Sequence, residues 1–67
     1  MLMLFYGGAD VKHRDLIRIL KDLGFYLERQ GGEHEIWSNG KISVSVPRHK
    51  EVKEFTAKRI IKEASGK

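Results

Sequence analysis

Sixty-seven residues carry one domain with a modest core and no room for a second. Cysteine is absent, which excludes disulfides and thiolate metal sites and fits a reducing cytoplasm. Thirteen Lys and Arg against nine Asp and Glu leave a formal net charge of +4, which suits an anionic partner such as nucleic acid as well as an ordinary basic surface.

The chain opens on Met1-Leu2-Met3-Leu4-Phe5-Tyr6, an apolar run with no positive leading region and too short to cross a bilayer, so neither a secretory signal nor a membrane segment is expected. Residues 1–9 read as an apolar extension, an extra edge strand or contact surface ended by Gly7-Gly8, and residues 10–67 as the single domain. Leu16, Ile19, Leu20 and Leu23 recur at helical spacing, widened by Ile17, with Arg14, Arg18, Lys21 and Asp22 on the solvent side. Asp10 is a candidate cap, with Lys12 or His13 as the other boundary, and Gly24 is the stop.

Residues 25–30 alternate as a strand with Phe25 and Leu27 inward, and Gly31-Gly32 turns the chain into a second strand over residues 34–38. Asn39-Gly40 predicts a tight hairpin with positive φ at both positions. A third strand follows over residues 41–46, with Ile42, Val44 and Val46 on one face, closed by Pro47, which lacks an N–H for the ladder. Phe55, Ile60, Ile61 and Ala64 predict a closing helix over residues 52–65. Helix, three antiparallel strands and helix make a two-layer α+β domain with the double-stranded-RNA-binding-domain-like order α-β-β-β-α.

The helix at residues 15–25 with its Gly24-Phe25 exit, the Gly32-Glu33-His34 turn, the Val46-Pro47-Arg48-His49 segment and the closing helix at residues 56–64 stand out in this order. Over about residues 11–64 they resemble the HicA toxin family, small ribonucleases of toxin–antitoxin pairs: its first helix, its Gly-Ser-His motif, its Val-Pro-x-His segment and its last helix. The resemblance implies metal-independent cleavage of mRNA, no cofactor, a HicB-like antitoxin that covers the active face, and a catalytic role for His34. Glu33 stands where the family usually has serine. A hydroxyl donates to a phosphate oxygen and a carboxylate repels it, so this position bears directly on activity.

Histidine suits the proton transfers of phosphodiester cleavage, and Lys and Arg suit the developing charge. His34 is the candidate acid–base group, and His49 is either a second such group or a loop residue beside Pro47. Arg48 and Lys50 flank His49 and are candidate phosphate contacts, whereas His13 reads as structural or incidental. If Ile36 is core, alternation puts His34 on the same side. His34 then lies at a frayed strand end, or a bulge from Gly31-Gly32 turns it out. Trp37 and Glu35 would face the other way, where Trp37 stacks on a base, anchors an antitoxin or simply covers the sheet. No recognised metal-ligand spacing links the histidines and acids. Two competing functions share this fold: an RNA-binding module without catalysis, and a protein-interaction domain that docks through residues 1–6.

Overall fold

The computed structural model describes residues 10–66; the expected apolar extension, residues 1–9, lies outside them. The elements are β1 (Val11–Lys12), α1 (His13–Asp22), β2 (Tyr26–Gln30), β3 (His34–Ser38), β4 (Ser43–Pro47), β5 (Glu51–Val52) and α2 (Glu54–Ala64). Strands β2, β3 and β4 form an antiparallel sheet with β3 at its centre, and β1 pairs with β5 in a separate two-stranded ribbon. Helix α2 packs on β4 and α1 packs on α2, so both helices lie on one side of the sheet. This is the α+β order expected from the sequence, with the short β1–β5 ribbon added.

The ribbon explains how α1 starts. Lys12 is the cap residue, with extended backbone and no side-chain cap bond, so Asp10 does not cap the helix. Instead the ladder pairs Val11 with Val52 and Lys12 with Glu51, and the His13 N–H donates to the Lys50 carbonyl at 2.8 Å. One of the helix's orphan donors is thus satisfied by the chain 37 residues away in sequence order, at Lys50. At the other end Gly24 has φ +90°, its N–H donates to the Lys21 carbonyl, and the Phe25 N–H donates to the Leu20 carbonyl. These two bonds are a Schellman stop, and the buried pair Leu20 and Phe25 seals it.

Leu16 and Leu20 are fully buried, whereas Leu23 lies past the last turn and is half exposed. In α2 the buried stripe is Ala57, Ile60 and Ala64. Phe55, expected in that core, is 80% exposed. It precedes Ala57 by two residues, which is about 200° around a helix and therefore on the opposite side. The helix also begins at Glu54 rather than at residue 52, because Val52 is taken by the β5 ladder.

Register decides which side of the sheet the helices cover. Trp37 stands opposite Val44, and Glu35 opposite Val46. Directly opposed residues share a face, and Trp37, Val44 and Val46 are all core. Glu35 and Trp37 therefore face the helices, while His34 and Ile36 face the open side, the reverse of the sequence expectation. Leu27, expected to be inward, shares the helix side with Trp37 but is 44% exposed, because β2 is the edge strand farthest from α2. Phe25 is buried by the Schellman turn before β2 begins.

The Asn39-Gly40 hairpin forms, though not as a two-residue turn. Only Gly40 has positive φ; the Asn39 side-chain oxygen accepts from the N–H groups of Lys41 and Ile42 at 2.8 and 2.9 Å. This Asx geometry widens the loop to residues 39–42, so β4 starts at Ser43 and Ile42 falls outside it.

Candidate functional site

His34 opens β3, is exposed, and stands opposite Pro47 at the end of the edge strand β4. Neither Gly31 nor Gly32 has positive φ, and the only shift in the β2–β3 register lies between Leu27 and Arg29. No bulge beside the glycines is needed to turn His34 outward: the open side of the sheet exposes it. The Gly31 N–H donates to the His34 carbonyl at 2.8 Å and closes the turn.

Arg48 holds that turn from outside. Its N–H donates to the Glu33 carbonyl at 2.9 Å, and its Nη1 donates to the Gly32 and Gly31 carbonyls at 3.1 and 3.4 Å. With the Gln30 amide oxygen turned toward it, Gln30 accepts from Nε and Nη2, both at 3.1 Å. A guanidinium read from the sequence as a phosphate contact thus holds the turn that carries His34, Nη1 on its backbone and Nε and Nη2 on the Gln30 side chain. These bonds are exposed to water and each is worth about 1 kcal/mol or less.

Beyond Arg48 a cavity of about 410 Å³ opens between the start of α1 and the β4–β5 connection. Lys12, His13 and Arg14 line one side and Arg48, His49 and Lys50 the other, with Glu35 of β3 also on its wall. The His13 Nε2 lies 3.1 Å from Glu35 Oε1, and Trp37 Nε1 donates to the same oxygen at 3.0 Å. The side chains of His13 and Glu35 are 25% and 13% exposed. Glu35 is therefore a largely buried carboxylate satisfied by an imidazole and an indole N–H.

The structure divides the residues read from the sequence. His49, Arg48 and Lys50 share the cavity, and His34 does not line it. Trp37, read as stacking on a base, anchoring an antitoxin or covering the sheet, is 5% exposed and belongs to the core, with its N–H turned to Glu35; it is not free to stack or anchor. Sequence reasoning missed His13 and Glu35 as partners. The shared parity of Glu35 and Trp37 was visible in the sequence, but their match to Val44 and Val46 appears only in the β3–β4 register. Among the described residues, no three His, Asp or Glu side chains converge as a metal-binding set, and no helix is long and apolar enough to cross a membrane.

Two helices on one side of a three-stranded antiparallel sheet, a cationic end and an exposed histidine at a strand start define a small basic α+β domain of the double-stranded-RNA-binding-domain-like class. The family model described as the HicA toxin of bacterial toxin–antitoxin systems matches residues 13–65, and the chain belongs to that family. Membership assigns it a toxin role and implies an antitoxin as partner. No curated protein and no solved structure matches the chain.

Proposed function

We propose that this toxin is a metal-independent endoribonuclease of the cytoplasm that cuts mRNA with His34 as the acid–base group, and that its antitoxin is HicB-like. The observation that carries the reading is the placement of His34: exposed, on the uncovered side of the sheet, at the end of a turn pinned by Arg48. A polynucleotide has free access to such a group.

In this reaction the 2′-hydroxyl of the RNA attacks the adjacent phosphorus while the bond to the 5′-oxygen breaks. The 2′-hydroxyl loses a proton and the leaving oxygen gains one, giving a 2′,3′-cyclic phosphate and a 5′-hydroxyl. An imidazole accepts the first proton and returns one to the leaving oxygen. Lys50 makes no ion pair among the described residues and supplies positive charge toward the phosphate. His49, in the cleft, is the second proton-transfer candidate. The Glu33 carboxylate, in the exposed turn beside His34, opposes the approach of phosphate.

The test is cleavage of single-stranded RNA in excess chelator. His34→Ala is expected to lower the rate by about 10²–10⁴-fold, with a stability change within about 0.5 kcal/mol because the side chain is exposed. Glu33→Ser is expected to raise the rate. Near-wild-type cleavage by His34→Ala transfers the role to His49, and a wild-type protein that binds RNA without cutting it is an RNA-binding module instead.

A further inference from the structure

A second cavity of about 470 Å³ adjoins the cleft, sharing His13, Arg14 and Glu35 with it and running along α1 past Arg18 and Lys21, with Trp37 on its wall. Arg14, Arg18 and Lys21 fall at i, i+4 and i+7, one stripe of the helix, spaced about one turn or ~5–6 Å apart. The two cavities form one furrow between α1 and β3. Among the described residues none of Lys12, Arg14, Arg18, Lys21 and Lys50 makes an ion pair, whereas on α2 Lys58 is paired with Glu54 at 3.1 Å and Arg59 with Glu63 at 3.3 Å. Two α2 cations are thus paired within their own helix and the α1 stripe is not, although Lys62 of α2, like that stripe, makes no ion pair among the described residues. Among the described residues Glu35 is the one carboxylate on the furrow walls, and its Oε1 already meets His13 and the Trp37 N–H.

We propose that this furrow is a track for the backbone of single-stranded RNA. The inference rests on the ribonuclease reading and extends it: the track holds the strand along α1, and Arg48 joins the track to the catalytic turn. Arg48 lines the furrow's mouth and also grips the Gly31-Gly32 backbone before His34. A strand leaving the mouth past Arg48 rounds the end of β3 and reaches the open side where His34 stands. A line of separate cations, each about one helical turn from the next, matches a ligand with one charge per repeating unit. The Glu35–His13 contact keeps the sole carboxylate of the furrow engaged, which limits its repulsion of phosphate.

The experiment measures binding of a ten-nucleotide 2′-O-methyl oligouridylate, which lacks the attacking hydroxyl and stays intact, across a range of salt concentrations. Arg14→Ala, Arg18→Ala and Lys21→Ala are each expected to reduce the log–log salt slope by about 0.7, one phosphate contact apiece, and Lys62→Ala on α2 to leave it unchanged. Glu35→Gln keeps an acceptor for Trp37 but removes the negative charge, and is expected to tighten binding. Unchanged slopes for the α1 variants overturn the track, as does tighter binding of poly-glutamate than of the oligonucleotide, which assigns the furrow to an acidic protein segment. Because the probe cannot be cut, these results are independent of cleavage: a His34→Ala variant that still cuts RNA removes the catalytic assignment and leaves the track standing.

Discussion

The two sides of the β2–β3–β4 sheet are built from neighbouring residues of the same strands, yet they do different work. The helix side carries Trp37, Val44 and Val46 in the core and ends at Glu35, where apolar cover gives way to a cationic cleft. The open side carries His34, Ile36 and Ser45 with no helix above them among the described residues. The helix side stabilises the fold by removing apolar area from water, at roughly 25 cal/mol per Å². The open side contributes little burial and keeps the His34 imidazole accessible. The proposed site and the packed core are thus separated by one residue of alternation, and both meet at the end of the sheet where Arg48 follows Pro47.

The sharpest way to break this comparison is a pair of substitutions on adjacent residues. Trp37→Ala is expected to cost about 3–5 kcal/mol, the loss of a buried aromatic together with the cavity it leaves. Ile36→Ala, on the open side, is expected to cost under about 1 kcal/mol. Urea midpoints of both variants check it, and equal losses would mean that Ile36 is covered as well as Trp37.

A smaller effect is expected where the two sides meet. Arg48→Lys keeps the charge but cannot hold the Gly31 and Gly32 carbonyls and Gln30 together, so about 1 kcal/mol is lost locally. Hydrogen exchange at the Gly31 amide should quicken while amides of α1 and α2 stay protected. Acceleration throughout the domain would make Arg48 a general stabiliser rather than a clamp on the turn.

The smallest effect tests how far the helix cover extends. Leu27 belongs to the helix side by register yet is 44% exposed. Leu27→Thr is expected to change stability by no more than about 0.5 kcal/mol, checked by the same urea midpoints. A cost of several kcal/mol would place a further element over β2.

Much of this was legible from residues close in sequence. Leu16, Leu20 and Gly24 announced α1 and its stop, Asn39-Gly40 announced a hairpin, and Val44 and Val46 announced a strand with one buried face. The errors over which face is buried in β3 and α2 share one cause. Alternation in β3 separates His34 and Ile36 from Glu35 and Trp37, but it is silent on which pair the helices cover. Ile36 was as good a core candidate as Trp37 until the register set Trp37 against Val44. Phe55 failed similarly: its hydrophobicity was plain, but the phase of α2 was set by Ala57, Ile60 and Ala64.

By itself the sequence determined the order of elements, the end of α1, the place of the hairpin and the candidacy of His34, because each depends on backbone preferences within a few residues. Only the tertiary structure decided which side of the sheet is covered, that His13 and Trp37 converge on Glu35, and that Arg48 grips the turn before His34. Those contacts join residues such as His13 and Glu35, 22 positions apart, and exist only once strand register and helix placement have been fixed by burial of the core.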